Sequence, residues 1–566
     1  MKYLLSTVLI TSLLFISCSP TDQLQQTPEE RHQALLDHSE LITPELLQSH
    51  LEIIAHDSLK GRETGTEGER IAAQYLIDQY ERMGVSPKGT DGYRQPFMLN
   101  AERVDSLVYR TYSVQNGDTT LVSHSLESSD SMADYMRIFG GSEPLNGDVV
   151  FGGFGVDDPE RDVHQTDREK MRGNWVVIFE DMPTVVDGDT LINPEISNNQ
   201  RIGNLLGNVE ASGVLLIADT DTDAYEEVAS INSDLITKPE NMRLQYLDDS
   251  GSASQAGFPR LLAQISPDMA VEFLGLDSTS DLDAYRDELV SDLTGFEPYT
   301  TPYHIGYEPY EGTVEVESKN IIAYIEGDDP ELKDEVHVLV AHYDHIGITQ
   351  PDDRGDQINN GADDNGSGTV ALLTIAEALQ NAKESGQPLD RSVLFVHVSA
   401  EEKGLLGSRY YSDHPVVPIE QTVAAFNADM IGRSDPENIE AGDTDYVYLI
   451  GGEIISSGLD SLVQQSNDET VNMRLDRKYN DLSDPNQFYR RSDHWNFGRL
   501  DIPFVFFFTG VHEDYHAPGD EVHKIDFEKL SRITRLIYAS TVNVANYDGR
   551  PEVDNEEFIE ITRGGR

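Results

Sequence analysis

Four apolar runs in the second half of this chain each end on groups that bind hard or borderline metal ions. "VHVLVA" (336–341) is followed by His342 and Asp344, "SVLFVHV" (392–398) by Glu401 and Glu402, and "TVAAFNA" (422–428) by Asp429; "IPFVFFF" (502–508) leads into "TGVHEDYHAPGDEVH" with His512 and His516. Runs this short and this apolar are expected of strands buried on both faces of a mostly parallel sheet. In such sheets the ligand crevice lies beyond the carboxyl ends of the strands. Four strands would therefore deliver imidazoles and carboxylates to one place. Zinc in hydrolytic sites takes that ligand mixture and keeps a position for water, while a free carboxylate nearby can move the proton.

Single residues in this set carry less weight than the set. His337, His345 and His397 are each expected as exposed or hydrogen-bonded histidines without a chemical task. The loop "DDRGDQINNGADDNGSG" (352–368) crowds acids against the start of an apolar helix. Its Asp363-x-Asn365-x-Ser367-Gly368 begins like a calcium loop, but the twelfth position is Thr374, inside that helix, where a glutamate is required. Ser492, Asp493 and His494 have the composition of a hydrolase triad, yet no Gly-x-Ser-x-Gly elbow accompanies them and three neighbours do not easily reach triad geometry. They are read as packing or site support. Glu401 and Glu402 set two like charges side by side just past a strand end, where the chain turns and adjacent carboxylates can take separate tasks.

The elements that must hold these residues follow from periodicity. Residues 43–85 repeat apolar positions at three- and four-residue steps, with Thr66 and Glu69 placed as a capping box and Gly84 as a stop. Between about 110 and 290 short strands alternate with polar loops ("GDVVFGGFG", "GNWVVIFED", "ASGVLLIADTD", "FPRLLAQIS"), and no ionisable cluster has ligand spacing there. From about 300 the rhythm becomes strand, loop, helix; "TVALLTIAEALQNA" and "SGLDSLVQQSN" are amphipathic helices.

Composition bounds the rest. The 566 residues allow roughly two to four domains. Against 102 Asp and Glu stand 41 Lys and Arg, a formal net charge of -61, which excludes binding of nucleic acid through phosphate neutralisation. "MKYLLSTVLITSLLFISCSP" has the shape of a secretory signal, too short to span a bilayer, and Cys18 is the only cysteine, so no intrachain disulfide forms. Its place after Phe-Ile-Ser resembles a bacterial lipoprotein lipobox, which implies a lipid on Cys18 as the membrane contact, a tether from Ser19 to about Ser39, and a place in the cell envelope, periplasmic or outer-membrane associated.

Together, "AHYDHIG" (341–347), "NNGADDNGSGTVALL" (359–373), "SAEEKGLLGS" (399–408), "NADMIG" (427–432), "RSDHWNF" (491–497) and "DYHAPGDE" (514–521) resemble, in order and spacing, the dizinc aminopeptidase family, which also includes glutamate carboxypeptidase II-like enzymes and glutaminyl cyclases. The resemblance implies an α/β fold with a mostly parallel central sheet flanked by helices, and His342, Asp364, Glu402, Asp429 and His516 as ligands of two zinc ions bridged by Asp364. It further implies Glu401 as general base and Asp344 as the carboxylate that receives the other N–H of His342. Residues 115–294 resemble an inserted, β-rich protease-associated domain. The implied organisation is a signal peptide (1–17), a lipoprotein tether (18–40), a discontinuous peptidase domain (41–114 and 295–550), the insert, and a C-terminal tail (551–566). The implied activity is release of N-terminal residues from peptides; carboxypeptidase, glutaminyl cyclase and an inactive lipid-anchored binding protein are the alternatives.

Overall fold

The computed structural model describes residues 27–115, 118–126, 136–138, 144–186, 189–194, 196–218, 238–250, 261–349, 352 and 354–564. The signal segment and Cys18 lie outside them. Among the described residues no helix is long and apolar enough to cross a membrane.

Part of the expected tether is helix. Thr27 and Glu30 form a reciprocal capping box at the start of Pro28–Asp37, and Leu35 and Leu36 enter the main core beside Ile42 and Leu51. The tether reading rested on polar composition, which these two leucines override. Helices Pro44–Ile54 and Glu67–Met83 follow, the latter ending on left-handed Gly84. Only half of the expected Thr66–Glu69 capping box forms. The Thr66 hydroxyl accepts from Glu69 N, but the Glu69 side chain turns inward and accepts from Gly65 N, Ser318, Tyr343 and Ser399. The local Gly65 N–H and three donors from distant segments outcompete the N-cap backbone N–H for a buried carboxylate.

The central sheet runs Arg474–Asp476, Tyr446–Gly451, Phe504–Phe508, Thr422–Ala428, Val336–His342, Ser392–Val398, Tyr299–Ile325. The four runs singled out by sequence are neighbours and parallel: 504–508 beside 422–428, 422–428 beside 336–342, and 336–342 beside 392–398. Their side chains alternate between two cores, so both faces must be apolar. Leu339, Phe395, Phe426 and Phe507 pack under helices Gly368–Glu384 and Phe527–Ala545. Val338, Val340, Val396 and Phe506 pack on the opposite face with Tyr411, Tyr448 and Phe488. Each such fully buried side chain contributes about 1.5–3 kcal/mol.

The middle region adds parallel strands Leu145–Phe151, Trp175–Phe179, Gly213–Ile217 and Leu261–Ile265, with helices Pro267–Leu274 and Thr279–Ser291 sharing their core. It meets the central sheet along Tyr299–Ile325, and its strand Glu240–Leu244 also pairs antiparallel with Arg94–Gln115. The Tyr299–Tyr307 part of Tyr299–Ile325 pairs with Leu145–Phe151, and its Ile321–Ile325 end pairs with Ser392–Val398. Arg94–Gln115 runs antiparallel to it over nearly its full length. This ribbon crosses the expected boundary near 114 and begins just past the one near 295. Within the expected tail, helix Glu556–Gly564 buries Phe558 against Phe504.

Candidate metal centre

Every predicted ligand stands at the carboxyl edge of the parallel strands or in the loops beside it. His342 is the last residue of its strand, and its carbonyl accepts from Thr369 at the start of the following helix. Past Val398 the chain reverses at Ala400, whose φ of 57° is left-handed. Met430, after Asp429, and His516 itself are also left-handed, with φ of 52° and 56°. A residue with a Cβ in this region costs roughly 1–2 kcal/mol. Such strain, stored where site residues leave their strands, turns each side chain toward the crevice.

Asp364 sits at the centre. Its Oδ1 is 3.3 Å from His342 Nε2, and its Oδ2 is 3.2 Å from His516 Nε2. His342 Nε2 also faces Asp429 Oδ1 at 3.5 Å, and His516 Nε2 faces Glu402 Oε2 at 3.2 Å. Glu401 Oε2 is 4.0 Å from His342 Nε2. Two groups close enough to hold an ion emerge, His342 with Glu401 and Asp429, and His342 with Asp364 and Glu402. The spacing tests the fit. Two atoms each about 2.1 Å from a tetrahedral zinc lie roughly 3.4 Å apart, whereas N–H···O hydrogen bonds centre near 2.9 Å. The four His-to-carboxylate separations match the former, and buried Asp429 Oδ1 has no hydrogen-bond partner. The residues therefore fit a pair of divalent ions.

Neighbouring groups fix these side chains. Ser492 donates to Asp429 Oδ2 at 2.7 Å and receives from Asn427, the support role expected of the 492–494 run. Asp520 accepts from the backbone N–H of both Asp363 and Asp364. Asp363 turns away from the centre: its Oδ1 accepts from Gly432 N and its Oδ2 lies 3.4 Å from His512. The structure thus brings Asp364 and His516 together at the centre and sets Asp363 and His512 against each other beside it. Wholly buried Arg62 donates to Tyr343 O, Ile54 O, Asn360 O and Gly361 O. One guanidinium thus ties the loop after His342 to the loop before Asp364.

Two expectations need correction. His342 Nδ1 bonds to the backbone carbonyl of Asp344 at 3.1 Å, while the Asp344 carboxylate lies 3.7 Å away. That carboxylate instead accepts from Glu401 N and from Thr64. The carbonyl of the same loop, two residues on, already occupies the Nδ1 direction and orients the ring with Nε2 inward. His345 is not incidental either. It is fully buried, with Nδ1 2.7 Å from Glu402 Oε1, and since an ionised carboxylate only accepts, Nδ1 carries the proton. Gly361 makes room for it, because a Cβ there would come 2.5 Å from the His345 ring. Its spacing of three from His342 in a turning segment was the available signal.

The two adjacent glutamates are driven in opposite directions. Burial, opposed by His342 but reinforced by the charges of Glu402, Asp493 and Asp429, holds the Glu401 carboxyl well above its ordinary range. Burial also disfavours the charge of Glu402, as does Asp364, but the hydrogen bonds from His345 and His516 win and its carboxyl falls below the ordinary range. Asp364, likewise penalised by burial, is carried well below by His342 and His516.

Comparison with known proteins gives this geometry a family. Residues 320–541 match the profile described as peptidase family M28. Aminopeptidase YwaD of Bacillus subtilis (strain 168) is 28% identical over 248 residues, covering 43% of this chain and 48% of that protein. Leucine aminopeptidase 2 of Trichophyton equinum is 29% identical over 276 residues, 44% of this chain and 50% of that protein. The chain thus spans about half the length of the curated relatives it matches. A peptidase M28 precursor from Shewanella amazonensis shares the fold, with a TM-score of 0.50 at 15% identity over 93% of this chain and 99% of that one. An aminopeptidase from Aneurinibacillus sp. strain AM-1 aligns with a TM-score of 0.47 at 16% identity, over 93% of this chain and 98% of that one.

Proposed function

Because residues 320–541 belong to peptidase family M28, we propose that the chain is a metal-dependent aminopeptidase that uses two zinc ions and releases the first residue of peptides. The observation that carries this reading is Asp364, whose two oxygens face two different histidines at nearly equal distance. His342 and Asp429 would complete the ligands of one ion, and His516 and Glu402 those of the other. Bound there, the ions supply Lewis acidity and an acidified water. The protein's own part is positional and protonic. Glu401, outside the two ligand sets just named, removes a proton from the attacking water and returns it to the departing amine. The Asp344 carboxylate, by accepting from Glu401 N, holds the base at its turn. The relatives named above are called aminopeptidases, which favours a free N-terminus over a free C-terminus as the recognised end.

Metal content measured alongside hydrolysis of one peptide with a free or an acetylated N-terminus tests the proposal. About two zinc ions per chain and at least hundredfold slower cleavage of the acetylated form are expected. Equal rates would remove the aminopeptidase reading, and one ion with release of a cyclised product would favour the cyclase. We further propose a lipid-anchored envelope protein, on the strength of the segment ending at Cys18; a Cys18→Ser chain that still partitions with membranes would remove that reading. The middle region is read as a protease-associated-like insert on its strand-then-helix pattern.

A further inference from the structure

One wall of the cleft beside Asp364 has chemistry that the proton transfers leave unused. Phe488, Phe506, Phe508 and Val511 line it, and Arg491 stands on the same wall. The nearby arginines differ sharply in their engagement. Arg433 pairs with Asp514 at 2.7 Å, and Arg490 donates to Gln487. The Arg491 guanidinium lies 5.2 Å from the centre of the Phe488 ring, and among the described residues it forms no ion pair.

Next to Arg491 in sequence, Ser492 donates to Asp429, so the guanidinium is tethered within one side-chain length of the ligand set. On the two-ion reading above, which this inference rests on, the carboxylates of Asp364, Glu402 and Asp429 would be held by the ions, which leaves the Arg491 guanidinium on the cleft wall to the substrate. We propose that Arg491 recognises a carboxylate of the substrate, so that the site prefers peptides bearing one within a residue of the bond cut. The planar fork suits a carboxylate bidentately, and the Phe488 face holds the fork in one orientation. Since a residue spans about 3.5 Å, two sources reach it: an acidic side chain on the first residue, or the free C-terminus of a dipeptide.

Zinc-loaded full-length protein is assayed on Leu-Leu, Leu-Leu-amide and Glu-Leu-amide. The specificity ratio of Leu-Leu to Leu-Leu-amide reads the C-terminal source, and that of Glu-Leu-amide to Leu-Leu-amide reads the side-chain source. Arg491→Gln should lower one of these ratios about ten- to hundredfold, through KM more than kcat, and Arg491→Lys should restore part of it. Ratios that match the wild type in Arg491→Gln overturn the proposal. Reduced-bond analogues of the three peptides, titrated calorimetrically, read the same preference without turnover. A carboxylate preference in binding that Arg491→Gln abolishes, with no cleavage by the wild type, would leave this inference standing and sink the peptidase reading; equal affinities for acid and amide forms would sink this one.

Discussion

Replacing Asp364 with Asn removes one charge and should remove two ions. The two carboxylate oxygens lie 3.3 and 3.2 Å from His342 and His516, so neither ion has the stronger claim on the residue. Leaving a buried charge without its partner costs about 3–5 kcal/mol, and at 1.36 kcal/mol per decade each ion loses roughly two to four decades of affinity. Asp429→Asn touches only the His342 side, and His516→Gln only the Glu402 side. Each protein is dialysed against zinc buffered tenfold above the wild-type dissociation constant, and its metal is counted by mass spectrometry. Two ions for the wild type, one for each flanking variant and none for Asp364→Asn are expected. If Asp364→Asn kept one tightly held ion, the bridging role would be wrong and the site would be two independent half-sites.

Glu401→Ala should keep both ions and lose about 10²–10⁴ in kcat, whereas Glu402→Ala should lose an ion as well; wild-type kinetics in the first would remove the base from Glu401. His345→Leu should weaken the ion facing Glu402 and His516 by about 10–100-fold, and His345→Asn, which keeps a donor near Nδ1, should recover most of it; equal losses in both would reduce His345 to packing. His337, His397 and His494 are buried and pushed down to about 3, mainly by desolvation. Their folded values lie below the unfolded one near 6.5, so the unfolded chain binds more protons between roughly pH 6.5 and 3, and stability falls as pH drops through that window. The three together give about 4 kcal/mol per pH unit at full slope. Urea midpoints measured at pH 7, 6 and 5 should decline steadily, and less steeply in His337→Phe; a flat series would refute neutral burial.

Four strand ends were readable because strands buried on two faces must be apolar throughout, which makes the first polar residue after each run conspicuous. Periodicity cannot report where a carboxylate points after its strand has ended. The family resemblance pairs Asp344 with His342, but a backbone carbonyl takes that direction and Glu401 N, 57 positions later, takes the carboxylate. Glu69 looked like a cap because its partners Ser318, Tyr343 and Ser399 converge only in three dimensions. His345 gave one local clue, its spacing from His342, but its partner Glu402 is likewise 57 residues away. The ribbon was hidden for another reason. Segments such as Thr313-Val-Glu-Val-Glu-Ser318 alternate apolar with charged residues, as expected of a strand with one wet face, so no apolar run announced it.

That ribbon makes the middle region hard to excise. Cutting out 116–298 and splicing the ends would strip Tyr299–Tyr307 of its pairing to Leu145–Phe151 and leave most of the remaining strand as a bare edge ready to pair with other copies. The middle region is woven into the sheet: two cores share one continuous backbone ladder, so a shortened version made for structural or industrial work should aggregate unless the splice also shortens both strands to the Ile321–Ile325 pairing with Ser392–Val398.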